Sequence, residues 1–240
     1  MKNILTVIPA HNEEETIREV VMRSLAYSDV SVTDDGSTDQ TPSILKEMAL
    51  DKNLQNIHLL HIIRHEKATH IPKGIQDGIK YGVDRNYDFI ITMDAGLSHD
   101  PDALQEFIDF DPSIDVVIGM RKDMENVPIY RRVISKLAAF VVNYALTDSY
   151  FNVMGPGLRD CTSGFRRYSK EAAKLIAKSD LKSKAFDFHM EVLALCVRNG
   201  LTAAELPIRY VFSNSSFNGK VLKQAMKFGM HLIITKGKTS

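Results

Sequence analysis

The chain has 240 residues, of which 44% are hydrophobic and 25% charged, a composition typical of one globular domain with a sizeable core. Its 30 lysines and arginines balance 30 aspartates and glutamates, so the net charge of zero argues against a uniformly basic nucleic-acid-binding surface. Two cysteines provide no disulfide framework, and no run of about 18 apolar residues predicts a transmembrane helix. We therefore expect a cytoplasmic protein with buried, unreactive cysteines.

Strands and helices alternate through the first half of the sequence. Strands are predicted at 4–9, 30–33, 58–64, 89–93 and 116–119. Helices are predicted from an Asn12 N-cap to about Ala26, from Thr41-Pro42 onward, at 72–85 and at 102–108. This alternation predicts an α/β fold with a mostly parallel central sheet flanked by helices.

The second half is less regular. Helices are predicted at 130–146, 170–179 and 186–199, a loop at 148–159, and a strand at 202–210. An amphipathic helix at 220–236 closes the sequence. We find no internal repeat and no linker, so residues 1–240 are predicted to form a single domain.

Polar clusters follow three of the predicted strands. They are His11-Asn12-Glu13, Asp34-Asp35-Gly36 and the segment 94–99. Ligands of parallel sheets bind outside the carboxyl ends of the strands. The three clusters therefore predict one site at that edge.

The ordered set of motifs resembles family 2 glycosyltransferases with the Rossmann-like GT-A fold, and is most similar to their dolichol- or polyprenyl-phosphate mannosyltransferase branch. In the first half the resemblance lies in the motifs at 7–13, 34–39 and 93–101. In the second half it lies in 119–121, 131–135, Asp160-Cys161-Thr162-Ser163-Gly164-Phe165-Arg166 and 205–208.

This resemblance implies an inverting hexosyltransferase. It would move a mannose- or glucose-like sugar from a GDP- or UDP-linked donor to a polyprenyl phosphate, with no nucleic-acid partner. Residues 1–120 would form the nucleotide-sugar-binding half and residues 121–240 the acceptor-binding half. A lipid acceptor further predicts peripheral association with the cytoplasmic face of a membrane.

Donor-site residues are implied by the same resemblance, with Asp35 accepting hydrogen bonds from the base or ribose. The full set is Pro9, His11, Glu13, Thr33, Asp35, Asp94, Ala95, Gly96, Ser98 and Lys220.

The metal motif departs from the family pattern. Relatives hold Mg²⁺ or Mn²⁺ with Asp-x-Asp, whereas this chain has Asp94-Ala95-Gly96 and lacks the second carboxylate. We expect Asp94, with Ser98, to hold the cation more weakly. Two further departures are the loss of a glycine-rich stretch at 66–74 and Asn214 or a nearby serine in place of a donor-site arginine.

The resemblance also implies that the acceptor phosphate is bound by Arg121, Arg131 and Arg132, with Ser135 close by, and guanidinium groups suit phosphate geometry. A phosphate acceptor is already ionised, so it needs no dedicated general base. The predicted catalytic residues are therefore Asp94, Arg121 and Arg131.

Two alternatives remain open on the sequence. One is transfer to a saccharide hydroxyl in cell-surface polysaccharide synthesis, with Asp187 or Glu191 as the base. The other is a non-catalytic nucleotide-sugar-binding protein, which Gly96 and Asn214 favour. The apolar helix at 130–146 fits either a lipid-facing surface or a buried core element.

Overall fold

A seven-stranded sheet with strand order β3-β2-β1-β4-β6-β5-β7 forms the centre of the computed structural model. The structure describes residues 3–51, 53–54, 58–125, 127–147, 155–185, 187–211, 229–230 and 233–234, without the side chains of residues 123, 124, 129 and 131. The strands are β1 Ile4–Ala10, β2 Asp29–Asp35, β3 Leu60–His65, β4 Phe89–Thr92, β5 Val116–Glu125, β6 Arg166–Ser169 and β7 Ala203–Val211. The helices are α1 Ile17–Ser24, α2 Thr41–Leu50, α3 Ile71–Asp84, α4 Leu104–Asp109, α5 Ile129–Ala145, α6 Lys170–Lys178 and α7 Asp187–Arg198, with a 3₁₀ turn at Pro101–Ala103.

The sheet is mostly parallel, which confirms the predicted fold class. Strand β1 pairs in parallel with β2 and β4, and β5 pairs in parallel with β7. Only β6 runs the other way, between β4 and β5. Its amino end therefore lies at the edge where its parallel neighbours have their carboxyl ends.

Apolar residues pack against the sheet in two clusters, one containing Leu5 and Val7 and the other Ile4 and Ile8. This alternation along β1 is what burial on both faces requires. Helix α3 comes very close to the sheet through Gly78, where an added Cβ would collide with Val7. The sheet thus has a core on each face, and its strand-end edge is left for a site.

Two local predictions were wrong. Asn12 has φ 57° and does not cap α1, whose N-cap is Thr16; the Asn12 side chain instead accepts a hydrogen bond from the Thr38 amide at 2.9 Å. Strand β5 continues to Glu125, beyond the predicted end at Gly119, because β7 pairs with it along this length.

Other expectations concern the cysteines and the membrane. Cys161 and Cys196 are fully buried and unpaired, and burial raises the pKa of each thiol to about 12, as expected for unreactive residues. Among the described residues, no helix has the length and apolarity needed to cross a bilayer. The helix predicted at 220–236 lies almost entirely outside the described residues.

Candidate active site

Two loops at the strand-end edge are joined into one rim. The amide of Asn12, just after β1, donates to Ser37 Oγ at 2.9 Å, and the amide of Glu13 donates to Thr41 Oγ1 at 2.8 Å. His11 is exposed, and its Nδ1 lies 2.8 Å from the carbonyl oxygen of Asp35. The clusters that follow β1 and β2 therefore form one surface, as the sequence predicts.

Beneath this rim, Pro9 and Thr33 are neighbours in the register of β1 and β2. An added Cβ on Gly74, in the first turn of α3, would lie 3.5 Å from Thr33 Cγ2 and 3.7 Å from Pro9 Cβ. Thr33 Oγ1 is buried and makes no hydrogen bond within the described part of the chain. A buried hydroxyl without a partner costs free energy, so it is a natural contact point for a ligand.

The two carboxylates at the end of β2 both accept hydrogen bonds from other parts of the protein. Asp34 accepts a hydrogen bond from the Ser37 amide at 3.0 Å and pairs with Arg64, so it stabilises the turn. Asp35 accepts hydrogen bonds from His65, the last residue of β3, and from Thr69 and His70 in the loop that follows. Burial raises the pKa of Asp35, but these hydrogen bonds outweigh burial and lower the pKa to about 2.

Asp94 follows β4 and lies at the centre of the edge, with its side chain 48% exposed. Burial raises the pKa of Glu13, and the negative charges of Asp94 and Asp39 raise it further. Asp94 also contributes to the raised pKa of the Arg121 guanidinium, although Asp160 is the larger stabilising charge there. The negative charge of Asp94 therefore acts on both Glu13 and Arg121.

The described residues pack closely around Asp94 at Gly164 and leave space beside it at Gly96. An added Cβ on Gly164 would lie 3.1 Å from both Asp94 Oδ1 and His189 Nε2, whereas one on Gly96 would meet nothing within 4 Å. His99 Nδ1 lies 3.5 Å from Asp94 Oδ2, and among the described residues neither ring nitrogen of His99 has a hydrogen-bond partner. Burial lowers the pKa of His99, so the ring is neutral.

The other predicted residues of this segment are less accessible. Ala95 is 3% exposed, and Ser98 is 8% exposed. The Ser98 carbonyl accepts a hydrogen bond from the Val211 amide at the end of β7 at 3.1 Å. Ser98 as a metal ligand stays a prediction.

Arg121 occupies a polar pocket on the acceptor side. Its Nε lies 2.6 Å and its Nη2 2.8 Å from the two carboxylate oxygens of Asp160. Nη2 also donates to Thr162 Oγ1 at 2.7 Å and reaches Ser135 Oγ at 3.4 Å. Burial opposes ionisation of Asp160, yet Arg121 outweighs it and lowers the pKa of Asp160 to about 2. Arg121 and Ser135 therefore meet, as predicted.

The remaining predicted site residues are described only in part. Arg132 is exposed on α5. Position 131 is part of the same helix, but its side chain is outside the described residues, as are all of Lys220 and Asn214. Whether the three arginines converge on one phosphate stays a prediction.

Sequence reasoning missed the residues that hold this pocket together. The sequence predicts the motif at 160–166 but gives no role to Asp160 or Thr162, although both bind Arg121. Buried Arg166 fixes their loop by donating to the carbonyls of Cys161 at 2.7 Å and Ser163 at 2.8 Å. Two charged residues in one short motif, Asp160 and Arg166, were the available signal.

Glu191 and Asp187 are the two carboxylates that could act as the base if the acceptor were a saccharide hydroxyl. Glu191 accepts hydrogen bonds from the amides of Lys182 and Ser183, both at 2.9 Å, and Asp187 accepts one from the Ala185 amide at 2.8 Å. Both carboxylates therefore stabilise the segment before α7, which gives them a structural role.

The mostly parallel sheet, with carboxylates at the carboxyl ends of its strands, defines an α/β fold of the GT-A type. The model of Glycosyl transferase family 2 matches residues 6–176, and the chain belongs to that family. It is a glycosyltransferase.

Sequence comparison finds relatives over most of the chain. Polyprenol monophosphomannose synthase of Mycolicibacterium smegmatis is 31% identical over 92% of this chain and 83% of the relative. A UDP-N-acetylglucosamine–dolichyl-phosphate N-acetylglucosaminyltransferase of Methanococcus voltae is 28% identical, over 90% and 88%. An undecaprenyl-phosphate mannosyltransferase of Micrococcus luteus is also 28% identical, over 93% and 90%.

Solved structures support the fold. Glucosyl-3-phosphoglycerate synthase from Mycobacterium tuberculosis, in complex with Mn²⁺, UDP and glucosyl-3-phosphoglycerate, aligns with a TM-score of 0.66. The alignment covers 98% of this chain and 80% of that one at 17% identity, which establishes a shared fold.

Proposed function

We propose that this chain is an inverting hexosyltransferase that moves a mannose- or glucose-like sugar from a GDP- or UDP-linked donor to a polyprenyl phosphate. The observation that carries the proposal is the position of Asp94 at the strand-end edge, packed against Gly164 of the loop whose Asp160 and Thr162 bind Arg121. The three relatives, whose names all specify a polyprenyl or dolichyl phosphate, support the choice of acceptor.

The donor nucleotide would lie on the surface formed by the loops after β1 and β2. Pro9 and Thr33 would form its floor, with the free Thr33 hydroxyl available for a hydrogen bond. His11 and Glu13 would line the rim. The segment Asp94-Ala95-Gly96 would face the diphosphate. Lys220, which lies outside the described residues, would also bind the donor.

The site fits a divalent cation, with one protein carboxylate. Asp94 is half exposed; within the described residues, an added Cβ on Gly96 would meet nothing within 4 Å, and Nδ1 of His99, 3.5 Å from the carboxylate, has no hydrogen-bond partner. Asp94 would hold Mg²⁺ or Mn²⁺, with Ser98 as the predicted second ligand, and Mg²⁺ ordinarily keeps several waters. A cation bound there would neutralise the charge that develops on the diphosphate leaving group.

On the acceptor side, the phosphate oxygen itself is the nucleophile. Because a phosphate monoester is already ionised, the site needs to orient it and offset its charge, and needs no base. Ser135, Thr162 and the Arg121 guanidinium would do this together with Arg131 and Arg132. Direct attack from the face opposite the diphosphate inverts the sugar carbon.

Helix α5 supports peripheral association with the cytoplasmic face of a membrane. It carries exposed large apolar residues at helical spacing, and its Ser135 contacts Arg121. The exposed residues are Tyr130, Val133, Leu137 and Phe140. An acceptor phosphate at Arg121 would therefore have its lipid tail beside an apolar surface.

The test is transfer of labelled sugar from a panel of UDP- and GDP-linked sugars to a short-chain polyprenyl phosphate, with and without Mn²⁺. We expect transfer from one donor class, a strong loss in Asp94→Ala, and a strong loss in Arg131→Ala. A glycosyl acceptor with a free hydroxyl is the control substrate. Unchanged transfer in Arg131→Ala would argue against a phosphate acceptor.

A further inference from the structure

His99 is a buried polar residue at the strand-end edge of the sheet. Its side chain is 2% exposed, and its Nδ1 lies 3.5 Å from Oδ2 of Asp94. Among the described residues, neither nitrogen of the ring has a hydrogen-bond partner. A buried polar group without a partner costs free energy, so its place in the structure needs an explanation. The Asp94 carboxylate is an acceptor within reach of Nδ1.

The ring of His99 is held by two other segments of the chain. Its centroid is 5.3 Å from the ring of Phe165, in the loop before β6, and 5.3 Å from the ring of Tyr210, in β7. The backbone of His99 also forms an antiparallel β-bridge with Tyr210. Because close packing leaves a buried ring little room to turn, Nδ1 stays beside the carboxylate.

The Asp94 carboxylate, in contrast, is 48% exposed. It is the one carboxylate of the metal motif, since Gly96 stands at the second acidic position. A half-exposed side chain keeps rotamer freedom that it loses when it binds a cation. Metal-binding carboxylates are commonly oriented by hydrogen bonds from neighbouring groups, and loss of such a partner typically lowers metal affinity about 10- to 100-fold. A site with a single carboxylate therefore depends strongly on the orientation of that group.

We propose that His99 is a positioning residue, which donates a hydrogen bond from Nδ1 to Oδ2 of Asp94 and orients this carboxylate for the cation. The inference deepens the proposed function and rests on it, because the cation belongs to the donor site proposed there. Hydrogen bonds in an unliganded active site are often long and shorten when the ligand binds, which fits the separation of 3.5 Å. His99 itself contacts neither the cation nor the donor.

The position of the ring proton tests this hydrogen bond without a metal ion and without an activity assay. A neutral imidazole carries one N–H, and the proposal requires that proton on Nδ1. Long-range proton–nitrogen correlation spectra identify the protonated nitrogen, and the signal that disappears in His99→Phe belongs to His99. We expect Nδ1–H in the unliganded wild type. A proton on Nε2 would overturn the proposal.

Two variants separate the hydrogen bond from the packing of the ring. His99→Phe keeps an aromatic ring between Phe165 and Tyr210 but has no donor, whereas His99→Asn loses the ring and can place an amide nitrogen where Nδ1 lies. With UDP or GDP present, we expect Mn²⁺ affinity to fall about tenfold or more in His99→Phe and to be largely restored in His99→Asn.

Urea denaturation of the same two variants gives the comparison that a merely structural role would not produce. The smaller, polar side chain of His99→Asn leaves a cavity in a buried place, so this variant should be the less stable of the two. The order of stability should therefore be opposite to the order of Mn²⁺ affinity. If Mn²⁺ affinity followed stability instead, His99 would act only through packing and the inference would be wrong.

The inference and the proposed function fail in different ways. If the wild type binds Mn²⁺ and His99→Phe binds it equally well, the proposed function stands and the inference fails. If the wild type binds no Mn²⁺ with either nucleotide, the proposed cation site fails, and the role of His99 in orienting Asp94 for a cation fails with it. Asp94→Ala, which removes the carboxylate itself, is the reference for complete loss of the site.

Discussion

Single residues explain most of the chemistry of this site, and Gly96 is the position where the metal motif departs from its family. Among the described residues, an added Cβ at Gly96 would meet nothing within 4 Å, so they leave room there for a larger side chain. Its φ is not in the left-handed region, so a substitution carries no backbone strain of that kind.

We predict that Gly96→Asp strengthens Mn²⁺ binding in the presence of UDP or GDP by about tenfold, because a second hard oxygen ligand joins Asp94. Titration calorimetry or Mn²⁺ electron paramagnetic resonance measures the change. The Asp94→Ala/Gly96→Asp double variant is the control, and it should lose the gain. Equal Mn²⁺ affinity in Gly96→Asp and the wild type would place the cation elsewhere.

The buried pair of Arg121 and Asp160 allows a stability prediction. Asp160→Asn leaves the guanidinium, whose side chain is 20% exposed, without its charge partner. Breaking a fully buried pair costs about 3–5 kcal/mol, and we expect a cost toward the lower end of that range. Urea denaturation measures the free energy of unfolding. The control is Glu125→Gln, which breaks the exposed pair with Arg209 and should cost less than about 1 kcal/mol.

The same pair predicts a pH dependence. The pKa of Asp160 falls from 3.8 to about 2 on folding, so the unfolded state binds more protons between these values. The stabilisation is complete above the unfolded value and is lost as pH falls toward 2. The wild type should therefore lose more free energy of unfolding than Asp160→Asn over this acid range. Parallel acid profiles for the two proteins would contradict the assignment.

At the scale of elements, the sequence predicted most of the strands and helices but missed β6. Its residues Arg166-Arg167-Tyr168-Ser169 look polar, whereas both arginines are fully buried. Their guanidinium groups donate to backbone carbonyls, including those of His189 and Phe107. A pattern of polar and apolar residues cannot show such long-range satisfaction, because its partners come from distant segments.

The sequence predicted the local features of the site but not the contacts between distant segments. Asp35 and Asp94 were placed correctly at strand ends because strand-ending carboxylates are visible locally. The partners of Asp35 were not predicted, because Thr69 reaches it only through the folded path of the loop after β3. A short stretch of sequence shows that a carboxylate ends a strand, but it does not show which distant donors will bind that carboxylate.

Helix α5 carries the prediction for the membrane. Leu137 and Phe140 are 59% and 54% exposed, so Leu137→Glu and Phe140→Glu should fold normally and bind vesicles less. Co-sedimentation with vesicles of phosphatidylcholine and phosphatidylglycerol measures the change, and we expect a loss of several-fold or more. Met22→Glu on α1, at a residue 49% exposed, is the matched control. A loss in Met22→Glu equal to that in Leu137→Glu would mean that α5 is not the contact surface.

At the scale of the whole molecule, β6 joins the two halves of the sequence, residues 1–120 and 121–240. It lies between β4 and β5 and pairs with both, so one sheet extends from the first half of the chain into the second. The arrangement leaves no boundary near residue 120 at which the halves could separate without breaking strand pairs.

We therefore predict a single cooperative unfolding transition in calorimetry, with equal calorimetric and van't Hoff enthalpies. A nucleotide that binds only the folded state, at about 100 times its Kd, should shift that whole transition by the equivalent of about 2.7 kcal/mol. Because the proposed site draws on both halves, the shift cannot be confined to part of the heat signal. Two separable transitions, of which the nucleotide moved only the first, would show that residues 1–120 and 121–240 unfold as independent units.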